Sequence, residues 1–293
     1  MAGGVCRVIV EGSRFAVLFE VIEELAGGNL DARFELSPHL DDVDAVGYAL
    51  NVLAEELQDT IARLQRANET LSSYTHVVSH DLKAPVRAIT NCVRFLSEDL
   101  SGKLEKDQLH HLQTLRASSL QAQRLIDDLL AYAQIGANEA ALEDIDLGTV
   151  VEEVLALLAL PAEVQIVLPG SWPRLHTHHT LVGQILANLL SNAAKFSSAQ
   201  HRRVEVGWKR IPPMSYEVWV RDNGIGIEPR HQATVFEMFR RLHRANEFDG
   251  TGLGLAIVKR AVDELGGSVR IDSEPGEGSC FFVVIPDRSP PAK

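Results

Sequence analysis

Hydrophobic positions in the first part of the chain recur at helical rather than strand spacing. Phe15, Leu18, Ile22 and Leu25 form one stripe with a period near 3.6, and the pattern stops at Gly27 and Gly28. It restarts at Asp41 or Asp42, either of which can cap a second helix, and continues through Val43, Val46, Leu50, Leu53 and Leu57 into the polar stretch DTIARLQRANETLSSY. Two such helices cannot bury both stripes alone. Two longer helices are predicted next, over about 65–100 and 104–135, with a short turn at Ser101 to Lys103 making them a helical hairpin. The second arm places Leu109, Leu112, Leu115, Leu120, Ile126, Leu129 and Leu130 on a stripe wider than one hairpin can cover. Pairing with a second copy buries it, so the pattern predicts a four-helix bundle as a homodimer.

After Gly136 the character changes. Short β-type runs (VQIVLP, RVEVGW, YEVWVRD, GSVRID and CFFVVIP) alternate with helices at about 146–160, 179–195 and 253–265, which describes an α+β sandwich. The expected organisation is an N-terminal segment (1–14), a helical signalling module (15–62), the hairpin (63–138), an α+β domain (139–287) and a disordered tail (288–293). There is no internal repeat, no low-complexity segment and no receiver-like domain after Pro286.

Length supports this division, because 293 residues exceed one ordinary compact core. A formal net charge of -12 argues against nucleic acid as a partner, since such binding rests on clustered Lys and Arg. The three cysteines, Cys6, Cys92 and Cys280, lack both zinc spacing and a disulfide framework, which fits a reducing cytoplasm. No apolar run reaches the roughly 18 to 20 residues that span a bilayer, so neither membrane insertion nor export is expected.

The chemistry begins at YTHVVSHDLKAPVRAI. Neutral imidazole is a nucleophile near neutral pH, and a carboxylate accepting its Nδ1 proton fixes the tautomer that leaves Nε2 free to attack. His80 and Asp81 supply that pair. Pro85 has no amide to offer the Asp81 carbonyl, which bends the helix beside the histidine. Read without context, His76 and His80 at i and i+4 equally suit half of a metal site. Three motifs follow in the second half. In QILANLLSNAAKF, Asn188, Asn192 and Lys195 share one helix face, where amide oxygen suits Mg²⁺ and ammonium suits phosphate. In RDNGIGI, Asp222 ends a strand and can accept from an adenine amine, while Gly224 and Gly226 permit a tight turn. In DGTGLGLAIVKR, Gly250, Gly252 and Gly254 lead into a helix N-terminus suited to polyphosphate. The run HTHH at His176 to His179 is a candidate metal group.

Together, HDLKAP in a helical hairpin followed by these boxes and PGEGSCFFVVIP resembles the sensor histidine kinases, with a HisKA-type phosphoacceptor hairpin and a Bergerat-fold ATPase domain. The resemblance implies ATP and Mg²⁺ as cofactors, His80 as phosphoacceptor and Asp81 as its general base. It implies Asn192 as the Mg²⁺ ligand, Asn188 and Lys195 beside the phosphates, and Asp222 at adenine. Gly224, Gly226, Gly250, Thr251, Gly252, Leu253 and Gly254 would shape the nucleotide site and lid. FEMFRRLHRANEFDG matches the F box, with Phe236 and Phe239 as packing anchors and Arg240 or Arg241 as a phosphate contact. His76 matches no motif position. Ala84 stands where many relatives with strong phosphatase activity carry Thr or Asn. The resemblance further implies phosphoryl transfer to an aspartate of a separate response regulator. Upstream, ELAGGNLDARF and DDVDAVGYALNVLAEEL resemble HAMP modules, although the usual early proline is absent and Asp44 stands at a usual glycine; an ordinary dimerisation coiled coil is the alternative. A HAMP-like module would receive its signal from an upstream protein sensor. The rivals are other Bergerat-fold ATPases of the gyrase, chaperone or mismatch-repair kind, and a noncatalytic nucleotide-binding adaptor.

Overall fold

A computed structural model describes residues 3–38, 41–100, 102–136, 141–197, 201–241 and 250–289. The chain divides into two compact units, Met1–Leu71 and Ser72–Lys293.

In the first unit, helix α1 (Gly3–Ala26) begins well before the expected start at Phe15. Helix α2 (Asp42–Asp99) starts where the cap was predicted but runs without a break into what was expected to be the separate first arm of the hairpin. No glycine or proline lies between Gly47 and Pro85, and the polar stretch is rich in Ala, Leu, Glu, Gln and Arg, which favour continuation. Leu18, Val21, Ala32, Phe34 and Val43 form a small core. Phe34 lies directly on Gly47, where a Cβ would come within 2.0 Å of its ring. The Asn51 side chain closes the same contact, accepting from the Phe34 amide and donating to its carbonyl, both at 2.8 Å. Asp44, only 2% exposed, is the polar centre of this unit. It accepts from the Arg14 guanidinium, the Ser37 amide (2.7 Å) and hydroxyl (2.6 Å), and the Asp41 amide (3.0 Å). The Arg14 bond above all holds its carboxyl well below the usual carboxylate range.

In the second unit, α2 continues through Pro85 and pairs with α3 (Lys106–Gln134). The Gln108 side chain accepts from the Glu105 amide at the start of α3. Lys83 and Asp127 join the two arms at 2.7 Å. Leu112 and Leu130 of the apolar stripe are buried, whereas Leu109, Leu115 and Leu120 are 40% or more exposed.

The α+β part contains β1 (Glu143–Asp146), α4 (Leu147–Leu158), β2 (Gln165–Val167), β3 (Arg174–Thr177), α5 (His179–Phe196), β4 (Arg203–Ile211), β5 (Ser215–Asp222), α6 (Pro229–Gln232), α7 (Gly254–Glu264), β6 (Ser268–Glu274) and β7 (Gly278–Pro286). Five strands form one sheet in the order β2-β4-β5-β7-β6, antiparallel except for the parallel β2–β4 pair. Strands β1 and β3 form a separate antiparallel ribbon that the sequence reading did not include. Val204 and Val206, Val218 and Val220, and Phe281, Val283 and Ile285 alternate toward α4, α5 and α7, whose apolar faces complete the core. Beyond the expected boundary at 287, the Arg288 guanidinium donates to the Leu265 carbonyl and the Ser289 amide to Asp287, and residues 290–293 of the expected tail lie outside the described residues.

Among the described residues, no helix is long and apolar enough to cross a membrane.

Candidate functional site

The polar face of α5, the end of β5 and the loop entering α7 converge on one cavity of about 400 Å³. Helix periodicity places Asn188, Asn192 and Lys195 along it. The Asn188 amide nitrogen donates to the Gln184 carbonyl at 2.9 Å, and a Cβ at Gly254 would lie 2.9 Å from the Asn188 Oδ1. A Cβ at Gly250 would sit 2.7 Å from the Lys195 Nζ. The loop thus lies close against the Asn188 amide and the Lys195 ammonium. Lys195 also lies over the Phe196 ring, 4.4 Å from its centroid.

Asp222 closes the other side. Pairing of β5 with β7 puts it opposite Ser279, and its Oδ1 accepts from the Gly224 amide at 2.8 Å and the Ser279 amide at 3.3 Å. Burial pushes its carboxyl up to about 6, against the pull of those two amides. The following turn is tight. A Cβ at Gly224 would lie 1.9 Å from the Phe196 carbonyl oxygen, and one at Gly226, whose φ is +68°, would lie 1.9 Å from the Glu274 carbonyl oxygen. Gly226→Ala is therefore expected to destabilise the α+β part by roughly 1–3 kcal/mol, read by chemical denaturation, since the backbone at Glu274 and Pro275 must shift.

Most of the sequence-predicted nucleotide residues line this cavity: Asn188, Asn192, Lys195, Asp222, Gly226, Gly250, Thr251, Gly252 and Gly254. Gly224 and Leu253 are placed behind it. Gly224 is buried against Phe196, and Leu253 is fully buried in the core, its amide donating to the Thr251 hydroxyl at 3.2 Å. Both predicted arginines, Arg240 and Arg241, line the cavity. Phe236 is an anchor, packed edge-on against Phe281, but Phe239 is 59% exposed in a left-handed conformation and is not buried as an anchor among the described residues. The rest of the lid, 242–249, lies outside the described residues, as do the side chains of His76 and His80. His80 and Asp81 are carried on α2, which contributes no residue to the cavity lining among the described residues. Two of the three histidines of HTHH take separate carboxylates, His176 with Asp144 at 2.7 Å and His179 with Glu153 at 3.1 Å. Among the described residues, no three His, Cys, Asp or Glu side chains are gathered as metal ligands.

Among the lining residues not anticipated from sequence, three bear polar groups that matter most here. Ser279 follows from the β5–β7 register. Arg124 and Asp128 come from α3 of the hairpin, which nothing in their local sequence signals. The Thr251 hydroxyl donates to Asp128 at 2.5 Å. Burial raises the Asp128 carboxyl above its ordinary value, while the bond from Thr251 lowers it. Farther along, the Arg260 guanidinium donates to the Ile135 carbonyl at 3.1 Å and stacks 4.8 Å from the centre of Tyr132.

A family model described as "Histidine kinase-, DNA gyrase B-, and HSP90-like ATPase" matches residues 177–289, and one described as "His Kinase A (phospho-acceptor) domain" matches residues 70–138. The chain belongs to the sensor histidine kinases. The second match separates this kinase from the gyrase and chaperone ATPases that share the first. It is 34% identical over 238 residues to cyanobacterial phytochrome B of Nostoc sp., an alignment covering 80% of this kinase and 32% of that protein. It is 33% identical over 238 residues to the methanogenesis regulatory histidine kinase FilI of Methanothrix harundinacea, covering 79% and 26%. The kinase thus spans about a third or less of the length of these curated relatives. The crystal structure of full-length ShkA in complex with AMPPNP matches with a TM-score of 0.58 and 28% identity, covering 76% of this kinase and 47% of that chain.

Proposed function

We propose that this chain transfers the γ-phosphoryl group of ATP to its own His80 and passes it to an aspartate of a separate response regulator. The observation that carries the reading is the convergence of Asn188, Asn192, Lys195, Asp222 and the glycine loop on one cavity that the hairpin helix α3 also borders. Asp222, already bonded through Oδ1 to two amides, keeps its second oxygen for an exocyclic adenine amine. Lys195 and the loop amides at the start of α7 neutralise and orient the phosphates, with Arg240 or Arg241 beside them. Asn192 fits Mg²⁺, being a hard oxygen donor in a cavity that also presents the Asn188 amide and room for water. Bound there, the ion would offset phosphate charge. On the hairpin, Asp81 accepts the Nδ1 proton of His80, whose Nε2 forms the new N–P bond as the bond to the β–γ bridging oxygen breaks and ADP departs.

The exposed Leu109, Leu115 and Leu120 support a homodimer built on the hairpin. The unit formed by α1 and the start of α2 supports a HAMP-like module that receives its input from an upstream protein, in a cytoplasmic setting. The test is incubation of purified protein with γ-labelled ATP and Mg²⁺. Acid-labile, alkali-stable label is expected; measurable ATP binding without label would favour a nucleotide-binding adaptor instead.

A further inference from the structure

The carboxylate of Asp128 is out of keeping with a cavity built for a polyanion. It is carried on α3, one turn beyond Arg124 of the same cavity wall, and stands against the loop whose glycines lie on Lys195 and Asn188. We propose that Asp128 is an autoinhibitory residue: it latches the hairpin onto the glycine loop through Thr251 and opposes entry of the nucleotide phosphates until α3 withdraws. This deepens the kinase reading and rests on it for the labelling experiment alone.

Three features give the latch its form. The Thr251 hydroxyl is used twice, donating to Asp128 and accepting from the Leu253 amide at 3.2 Å, so the carboxylate fixes the loop at the point where it turns into α7. The neighbouring Asp127 pairs with Lys83 of HDLKAP at 2.7 Å, so one turn of α3 is tied to the phosphoacceptor helix and to the nucleotide loop at once. The Arg260 contacts with Ile135 and Tyr132 add a second attachment of α3 to α7. Phosphates arriving beside Lys195 meet like charge at Asp128. Repulsion between them weakens nucleotide binding in the latched state and, by reciprocity, bound nucleotide loosens the latch.

The experiment compares the wild-type full chain with Asp128→Asn and Asp128→Ala, measuring affinity for a fluorescent ATP analogue with Mg²⁺ and the rate of histidine labelling. Asparagine keeps an acceptor for Thr251 and removes only the charge; alanine removes both. Both variants are expected to bind nucleotide roughly 5- to 20-fold more tightly and to label faster, and misfolding cannot produce tighter binding. Unchanged or weaker binding in both overturns the proposal, and weaker binding restored by higher Mg²⁺ would make Asp128 a metal-side ligand instead. Tighter binding with no label on any of the three proteins would uphold the latch and remove the kinase reading.

Discussion

His80→Gln is expected to abolish labelling by γ-labelled ATP while leaving nucleotide affinity within about twofold of wild type. Glutamine sustains a helix, so α2 should persist at this position, but it has no ring nitrogen to act as nucleophile. The cavity is furnished from α5, β5, the glycine loop and α3, none of which includes residue 80. Binding and chemistry should therefore separate cleanly. Label persisting in the variant would place the phosphoacceptor elsewhere, with His76, His110 and His111 the next positions to replace.

Asp222→Asn is expected to have two effects of opposite sign. Nucleotide affinity should fall roughly 10- to 100-fold, because an amide set to accept from Gly224 and Ser279 turns its NH₂ toward a base amine that also donates. The nucleotide-free protein should gain about 1–2 kcal/mol at neutral pH, because a buried charge has been removed. The pH dependence follows from the carboxyl being raised to about 6 in the fold. Below about pH 4 the group is protonated in both folded and unfolded chains, and wild type pays no penalty. As pH rises toward 6 the unfolded chain releases its proton while the folded one retains it, so wild type loses stability. Above about 6 the deficit is constant. Denaturation of both proteins at pH 4 and pH 7, with nucleotide titrations at pH 7, reads all of this. A variant both less stable and weaker in binding would mean a disrupted turn rather than lost recognition of adenine.

Much of this site was legible because its chemistry is written in local spacing. Asn188, Asn192 and Lys195 share a face through helix geometry alone, and glycines beside a loop–helix junction announce close approach. What escaped depends on distant parts of the chain. Nothing near Arg124 or Asp128 says that α3 borders the nucleotide cavity, since that is decided by how the hairpin meets the α+β part. Strands β1 and β3 have four residues each, too few for alternation to register. The separation expected between the second helix and the hairpin vanished because the polar stretch between them is made of residues that favour continuation, so the loss of the apolar stripe did not end the helix. Leu253 illustrates the reverse error: it lies within a nucleotide motif yet serves the core.

The Arg14–Asp44 pair sets a rule for building chimeras. Asp44 draws bonds from the guanidinium of α1 and from the connector that follows it. A crossover placed between residues 14 and 44 would exchange the cation and keep the buried carboxylate, stranding a charge that the remaining amides hold only in part. Crossovers beyond residue 44 move the two together, so recombined sensors should inherit this module as one piece.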